Sequence, residues 1–368
     1  MNYVEIYSNQ FNVIGPGGQH RSLMIAQGLY AYHNYKVLLI TPRFKAYYES
    51  VISRPQDFLE EGTLNSSSLQ KLKAYLANGL ALPLRALSGL PAIIVLPSPV
   101  VRANVSIFKK LKRGKVILDF GDIWFSQRDP RVYKIASTWY LNVILANFVD
   151  YVVMPTMAMT EFVLKLLPSQ LQNKVVHIPS AIDTRIVRPT RKASRPRIAY
   201  IGSLVGGRIE MLPYIAKKTI AQCKDVEFVI IGSGPMREWL RKKAGELELE
   251  RNFTLIGDVK FSELPRVCGD CWVGLSLVRE ETIYPVDILK SLVYMALGMP
   301  IIASRIIEEA SDVLVRTRPD PLSFANAICS LVRNYSLIEE LSQRARDRAA
   351  KFYDVGVISN KYHNLLAS

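Results

Sequence analysis

Short runs rich in valine and isoleucine recur along the chain, and each is separated from the next by a segment long enough for a helix. The runs are apolar without polar alternation, which is typical of parallel strands covered on both faces. Strands that alternate with helices indicate βαβ units, so the pattern predicts an α/β fold with doubly wound, Rossmann-like sheets. The predicted strands are Tyr3–Tyr7, Val37–Thr41, Ala92–Leu96, Val116–Phe120, Tyr151–Met154, Val175–Pro179, Arg197–Ile201, Phe228–Ile231, Phe253–Ile256, Trp272–Leu277 and Ile301–Ser304.

A polar, basic stretch with two prolines divides these runs into two sets at residues 183–196. It has no apolar periodicity, which indicates a linker. We therefore predict an N-terminal domain over residues 1–180, a linker over 181–196, a second domain over 197–345 and a C-terminal helix over 346–368. Ligands bind outside the carboxyl ends of the strands in such sheets, so the two domains are expected to face a central cleft. The final helices, Ser336–Phe352 and Val355–Leu366, either cap the second domain or cross back to the first.

The formal net charge of +15 favours anionic partners, namely nucleic acid, anionic lipid or a phosphorylated substrate. The sequence has no zinc finger, aromatic RNA-binding strand or tract of lysine and arginine alone, so nucleic acid is not expected as a partner. The chain enters Tyr3–Tyr7 without the features of a signal peptide. Its longest apolar run is broken by Asn142, Asn147 and Asp150, which predicts an amphipathic helix over Val132–Phe148 rather than a membrane span. The expected location is cytoplasmic.

The segment Leu64–Leu90 is rich in leucine and contains Lys71, Lys73 and Arg85. Basic amphipathic stretches of this kind lie in membrane interfaces. The alternative is a helical hairpin packed on the first sheet. Further basic residues up to Lys115 belong to the same domain, so peripheral binding to an anionic membrane surface is a hypothesis worth testing.

Two of the four cysteines, Cys268 and Cys271, have the CxxC spacing found in redox and metal sites. A structural zinc site needs further cysteine or histidine ligands, and none stands at a suitable distance in the sequence. The simpler interpretation is a pair of small residues that enter a buried strand. No bound metal is expected.

Glycine-rich turns follow several predicted strands, where they let a ligand approach the backbone and expose helix N-termini to an anion. In the first domain the turn contains Gly15, Gly17 and Gly18, with His20 close enough to touch a phosphate. In the second domain, Gly202-Ser203 begins a loop that ends at Arg208, a residue suited to bind a diphosphate through two hydrogen bonds. The turns at Gly232 and Gly234 and at Gly257 are the remaining candidates in that domain.

This ordered set resembles the donor-binding domain of the group 1 (family 4 type) glycosyltransferases of the GT-B fold. The resemblance covers residues 175 to 304 and is carried by several segments in the same order. They are His177–Asp183, the Gly202-Ser203-Leu204 turn, the Gly232–Pro235 turn and Met295–Pro300, and the first domain adds Gly15–Gly18 and Leu118–Trp124. The resemblance implies a retaining enzyme that moves a sugar from a nucleotide-diphosphate sugar to an acceptor without a metal or another cofactor.

The resemblance also implies roles for individual residues. Arg208 and Lys290 would stabilise the departing diphosphate, Asp122 would orient the acceptor hydroxyl, and Asp287 is an acid close to the donor. The glutamate that holds the nucleotide ribose in the family falls on Val293, which cannot accept a hydroxyl hydrogen bond. A catalytically degenerate GT-B scaffold, or a glycan-binding partner of an active transferase, is therefore the alternative. The basic first domain favours a glycan or lipid-linked saccharide as the acceptor.

Overall fold

The computed structural model describes residues 2–8, 21–41, 45–53, 90–95, 114–120, 149–207, 209–277 and 288–368. The described residues form two compact units. Unit 1 contains those up to Ala181 together with Val355–Ser368, and unit 2 contains those from Ile182 to Asp354. Each unit is built around its own sheet.

Unit 1 contains a seven-stranded sheet in the order β3-β2-β1-β4-β5-β6-β7. All neighbouring pairs are parallel except β2 and β3, which are antiparallel. The inner strands β4 and β5 are buried along their whole length, including Asp119 at the end of β5. The strands are β1 (Asn2–Ser8), β2 (Tyr35–Ile40), β3 (Lys45–Tyr47), β4 (Ala92–Val95), β5 (Val116–Asp119), β6 (Tyr151–Met154) and β7 (Val175–His177).

Five described helices belong to unit 1, and the last of them comes from the C-terminus of the chain. They are α1 (Arg21–His33), α2 (Tyr48–Ser53), α3 (Met157–Leu166), α4 (Ser169–Gln172) and α11 (Val355–Ala367). Helix α11 packs along α1. A Cβ atom on Gly28 of α1 would lie only 2.4 Å from Ser359 Cβ of α11, so glycine permits this close approach. The C-terminal helix thus crosses back to the first unit.

A buried charge network lies beneath this helix. Arg21 Nε donates to Asp119 Oδ1 at 2.7 Å, and Arg21 Nη2 donates to the Ile178 carbonyl and the Tyr362 hydroxyl. The Tyr362 hydroxyl donates in turn to Asp119 Oδ2. Both charged side chains are almost fully buried, and the partners come from α1, β5, α11 and the residue after β7. Removing either charge would leave the other uncompensated, which costs about 3–5 kcal/mol in typical buried pairs.

Unit 2 contains a six-stranded parallel sheet in the order β10-β9-β8-β11-β12-β13. This is the strand order of the dinucleotide-binding Rossmann fold, with its topological switch point between β8 and β11. The strands are β8 (Arg197–Ile201), β9 (Glu227–Ile231), β10 (Phe253–Gly257), β11 (Val273–Ser276), β12 (Ile301–Ala303) and β13 (Leu314–Arg316). The described helices are α5 (Met211–Gln222), α6 (Arg237–Glu246), α7 (Leu264–Cys268), α8 (Ile288–Ala296), α9 (Pro321–Val332) and α10 (Tyr335–Arg348), followed by a π-helical turn over Ala349–Tyr353.

The residues predicted as a linker between the domains are attached to unit 2. Val187 is fully buried in its core. Thr190 N donates to the Gly269 carbonyl at 3.1 Å. Lys192 Nζ donates to the carbonyls of Cys271 and Gly298 at 2.6 and 2.8 Å, and burial lowers the pKa of Lys192 to about 8.

All eleven predicted strands are present, with ends that shift by at most two residues. The sequence analysis missed β3 and β13, which are short edge strands of three residues each. It also missed that the predicted helix Ser336–Phe352 changes to a π-helical turn after Arg348. Two predicted segments lie outside the described residues, namely the helix Val132–Phe148 and all of Leu64–Leu90 but its last residue. Among the helices that the structure describes, none is long and apolar enough to span a membrane.

Gly274 of β11 lies against the Tyr294 ring, and we expect Gly274→Ala to destabilise the protein. A Cβ atom at this position would come within 2.5–2.7 Å of three ring carbons of Tyr294. Both residues are in the packed interior, so the ring must move, at a cost of about 1–3 kcal/mol in the free energy of unfolding. Urea unfolding of the full chain measures this loss.

The control is Gly245→Ala in helix α6, where the nearest atom to the new Cβ is a glutamate side-chain oxygen at 3.5 Å. We expect this variant to be unchanged or stabilised by up to about 1 kcal/mol, because alanine favours a helix over glycine. Equal stability of the Gly274→Ala variant and the wild type would contradict the packing seen around Tyr294.

Glu309 gives the stability of unit 2 a predicted dependence on pH. Its side chain is buried, and Oε2 has no hydrogen-bond partner among the described residues. Burial, and then the neighbouring Glu308, raises the pKa of Glu309. Because the folded pKa lies above the unfolded value, this residue stabilises the fold below about pH 4.3, and that contribution is lost as the pH rises through the folded pKa.

We therefore expect Glu309→Gln to lose less unfolding free energy than the wild type between about pH 4 and pH 7. Urea unfolding at a series of pH values measures the difference. Glu308→Gln, on the exposed neighbour, removes the same formal charge but leaves Glu309 buried, so it should keep most of the wild-type decline. The same decline in Glu309→Gln and the wild type would show that Glu309 does not titrate as its burial requires.

Candidate functional site in unit 2

Three glycine turns lie side by side at the carboxyl edge of the unit 2 sheet. Strands β8, β9 and β10 are parallel neighbours, and they lead into Gly202, Gly232 and Gly257. All three glycines have positive φ, at +151°, +135° and +97°, which favours glycine over other residues. The structure thus places the three predicted donor-binding turns of the second domain at one edge.

The first two turns pack against each other through their backbones. Gly202 N donates to the Ile231 carbonyl at 3.0 Å, and Leu204 N donates to the Ser233 carbonyl at 2.8 Å. A Cβ atom on Gly232 would lie 2.0 Å from the Gly202 oxygen, and one on Gly234 would lie 2.4 Å from the Leu204 oxygen. These glycines are therefore needed for backbone packing, a requirement the sequence analysis did not foresee.

Lys290 projects over the first glycine turn from helix α8, which precedes β12 in the chain. A Cβ atom built on Gly202 would lie 3.2 Å from Lys290 Cε and 3.5 Å from Lys290 Nζ. The two residues were predicted separately as parts of a donor site, and the fold brings them together. They meet at the carboxyl end of β8, beside the switch point of the sheet, where doubly wound sheets bind their ligands.

Tyr200 holds the Lys290 side chain in this position. The ammonium nitrogen lies 4.8 Å from the centroid of the Tyr200 ring. An aromatic face attracts a cation at this distance by about 0.5–2 kcal/mol, with the larger values at desolvated sites. Tyr200 is itself buried in the β8 strand, so the ring offers the ammonium a fixed platform. Sequence reasoning missed this residue because it looks like an ordinary core position of a strand.

Tyr294 fixes helix α8 to the sheet one turn after Lys290. Its hydroxyl accepts a hydrogen bond from Ile201 N at 2.8 Å and donates one to the Leu275 carbonyl at 2.9 Å. The two partners belong to β8 and β11, the strands on either side of the switch point. Residues four apart share a helix face, so this anchor also sets the place from which Lys290 projects.

Val293 is a core residue in the structure. Its side chain is 7% exposed and belongs to the apolar cluster between helix and sheet. The glutamate that the family resemblance places here has therefore been replaced by a residue that stabilises packing. No carboxylate is supplied to the site from this position.

Arg237 and Asp258 are polar residues near the third turn that the sequence analysis did not select. Arg237 Nη2 donates to the Leu255 carbonyl at 3.2 Å, while its Nη1 is buried without a hydrogen-bond partner among the described residues. Asp258 Oδ2 accepts from Ser233 Oγ at 2.6 Å. The only signal in the sequence was the position of Arg237 shortly after a glycine turn, where a new helix begins.

Several predicted site residues lie outside the described residues, namely Arg208, Asp287, Asp122, Gly15, Gly17, Gly18 and His20. Ser203 is described and exposed. In unit 1, Asp119 ends β5 three residues before Asp122. Its two carboxylate oxygens are occupied by Arg21 and Tyr362, so Asp119 serves the fold.

The described part of the site is suited to an anionic ligand. A lysine ammonium lies over the Gly202 turn, and α8 begins two residues before this lysine, with the positive end of its dipole there. A lysine and a helix N-terminus are usual means of binding phosphate groups.

The sequence of unit 2 matches a known family. The family model described as "Glycosyl transferases group 1" matches residues 195–334, which contain the three glycine turns, Tyr200 and Lys290. A search of curated proteins found no match.

The similarity to solved structures covers both units. A glycosyltransferase from Rickettsia africae is similar with a TM-score of 0.72 and 12% identity, covering 99% of this chain and 98% of that one. Sucrose-phosphate synthase from Thermosynechococcus elongatus is similar with a TM-score of 0.71 and 15% identity, covering 100% of this chain and 98% of that one. HepE from Anabaena, solved in complex with UDP, is similar with a TM-score of 0.68 and 14% identity, and both chains are fully covered. At these identities the likeness establishes the GT-B fold.

By sequence, residues 195–334 thus match the group 1 glycosyltransferases, and by structure the chain has the GT-B fold.

Proposed function

We propose that this glycosyltransferase takes its sugar from a nucleotide-diphosphate sugar bound at the carboxyl edge of unit 2, and that it retains the configuration at the transferred carbon. The observation that carries the proposal is the Lys290 ammonium held over the Gly202 turn by Tyr200. The HepE structures with UDP and with UDP-glucose support a UDP-sugar as the first donor to test, with UDP as the binding probe.

In this proposal the main task of unit 2 is to stabilise the diphosphate as it leaves. The bond between the sugar and the diphosphate breaks, negative charge grows on the phosphate oxygen, and the sugar carbon becomes cationic. Fixed positive groups that face the growing charge lower the barrier because they need no reorganisation during the step. Lys290 is such a group, and Tyr294 and Tyr200 keep it in place.

The remaining predicted residues complete the proposed site. Arg208 is proposed to add a guanidinium to the diphosphate, and Asp287 and Ser203 to contact the donor. Asp122 orients the acceptor hydroxyl and assists the loss of its proton. The turn with Gly15, Gly17 and Gly18, together with His20, is the proposed phosphate or acceptor loop of the first domain. No metal or other cofactor is required, since the cationic side chains take the role of a metal at the diphosphate.

We expect Lys290→Met to weaken the binding of UDP at least tenfold. A hydrogen bond to a charged group contributes about 1.5–3 kcal/mol, and 1.4 kcal/mol corresponds to a factor of ten in Kd. Methionine keeps the length of the side chain and removes only its charge. Calorimetric titration with UDP, GDP and ADP in the presence of EDTA measures the loss and tests metal independence at once.

Lys242→Met is the matched control, because Lys242 is an exposed lysine on helix α6 of the same unit. It should bind UDP as the wild type does. Unchanged binding in Lys290→Met would remove Lys290 from the site. If the wild type binds none of the three nucleotides, the donor proposal is overturned and a degenerate scaffold is favoured.

We further propose that the acceptor is a lipid-linked saccharide at the cytoplasmic face of a membrane. The support is the basic, leucine-rich segment Leu64–Leu90 and the excess of positive charge in the chain. Each lysine or arginine near an anionic surface contributes about 1 kcal/mol of attraction. A segment of this composition would hold the protein where its acceptor is anchored.

The wild type is therefore expected to sediment with vesicles that contain anionic lipid, and the triple variant Lys71→Ala, Lys73→Ala, Arg85→Ala should sediment much less. The control variant Lys218→Ala, Lys224→Ala, Lys242→Ala removes the same charge from exposed positions of unit 2 and should behave as the wild type. Equal losses of sedimentation in the two variants would show an effect of net charge alone. If the wild type does not sediment with the anionic vesicles, the membrane proposal is refuted.

A further inference from the structure

Two cysteines that are far apart in the sequence meet where helices α5 and α9 pack together in unit 2. Cys223 is the C-cap residue directly after α5, and its backbone N donates to the Thr219 carbonyl at 2.7 Å. Cys329 lies in α9, and its Sγ contacts the same Thr219 oxygen at 3.7 Å. The two cysteines thus share the Thr219 carbonyl as a partner and are neighbours in the folded protein.

The register of the two helices is fixed on both sides of this pair. Gln222 Nε2 donates to Asn326 Oδ1 at 3.0 Å, and Arg333 Nη2 donates to the Gln222 carbonyl at 3.0 Å. Asn326 and Arg333 lie about one helical turn before and after Cys329, so the pair lies between two interhelical hydrogen bonds. A disulfide requires that the two residues already be close, because it cannot form across a long gap without backbone movement.

The two thiols differ in their access to solvent. Cys223 is partly exposed, whereas Cys329 is 1% exposed. Burial, and then the Cys223 thiol beside it, raises the pKa of Cys329 to about 12. A dissolved reagent can therefore reach Cys223, and the second thiol of the pair is shielded until the first has reacted.

The CxxC pair does not offer such an entry point. Cys268 and Cys271 are both completely buried. Cys268 Sγ donates to the Leu264 carbonyl at 3.3 Å, and burial raises the pKa of Cys271 to about 12. Inert, buried cysteines of this kind are structural.

We propose that Cys223 and Cys329 are a reversible oxidation site, which closes to an intramolecular disulfide when the protein meets a small-molecule disulfide. The Cys223 thiolate attacks one sulfur of the reagent, the reagent's sulfur–sulfur bond breaks, and one reagent thiolate leaves. Cys329 then loses its proton, attacks the Cys223 sulfur and releases the second reagent thiolate. The two protein thiols are oxidised by two electrons, and the reagent is reduced to two thiols.

The location predicts the effect of this bond. Cys223 lies just before Glu227, the residue that begins β9, so the cross-link is formed near the amino edge of the sheet. The proposed donor site lies at the carboxyl edge. The disulfide should raise the melting temperature of the protein because it constrains the unfolded chain, and it should leave the Kd for UDP unchanged.

The test exposes the full-length protein to oxidised glutathione and maps its peptides under non-reducing conditions. In the wild type we expect a peptide that joins Cys223 to Cys329, a protein mass lower by two hydrogen atoms and two fewer titratable thiols in denaturant. In Cys329→Ser the second step is blocked, so glutathione should remain attached at Cys223. Cys223→Ser should show neither product.

Three results would overturn the proposal. They are a glutathione adduct that persists on Cys223 of the wild type, a bond that includes Cys268 or Cys271, and no reaction of the native protein. A comparison of reduced and oxidised wild type supplies a second measurement that depends on no substitution, and an unchanged melting temperature would refute the predicted constraint. Failure of UDP binding leaves this test unaffected, since none of its readouts uses the donor.

Discussion

The site in unit 2 depends on the contact between Tyr294 and Gly274. The tyrosine ring occupies the space that a side chain at position 274 would need, so only glycine fits there. This lets its hydroxyl reach between two strands, where it accepts from Ile201 N and donates to the Leu275 carbonyl. Strands on either side of a switch point diverge at their carboxyl ends and leave backbone groups there. One buried hydroxyl satisfies two of those groups and joins helix α8 to both strands.

The electrostatics of the site follow from that anchor. Lys290 projects from the turn of α8 before Tyr294, so the position of its ammonium over Tyr200 is determined by the fold of unit 2 without any ligand. A free lysine side chain loses much conformational entropy when it is ordered by an anion. A lysine that the fold already holds in place loses little. Val293 lies on the part of the helix that packs into the core. Within the described residues, the contribution of α8 to the site is therefore positive charge.

The sequence predicted the strands well because the inner strands are apolar on both faces, a pattern that few other structures share. It failed at β3 and β13, whose three residues are partly exposed and mix charged with apolar side chains. It selected the glycines for ligand approach alone and did not foresee their backbone contacts. The contact of Gly232 with the Gly202 oxygen is between different turns, and no local pattern reveals it. Tyr200 and Tyr294 were missed for the same reason, since a strand or helix tyrosine has no functional signature until its partners are known.

Tertiary contacts also decide between residues that look alike in the sequence. The segment from Leu118 to Asp122 contains two aspartates, and either would be acceptable as an acid beside an acceptor. Arg21 Nε and the Tyr362 hydroxyl donate to the two oxygens of Asp119, which is fully buried between α1, β5 and α11. A carboxylate in such an ion pair cannot take a proton from a substrate without breaking the pair, and a broken buried pair costs about 3–5 kcal/mol. Asp119 is thereby assigned to holding the C-terminal helix, and the proposed role at the acceptor stays with Asp122.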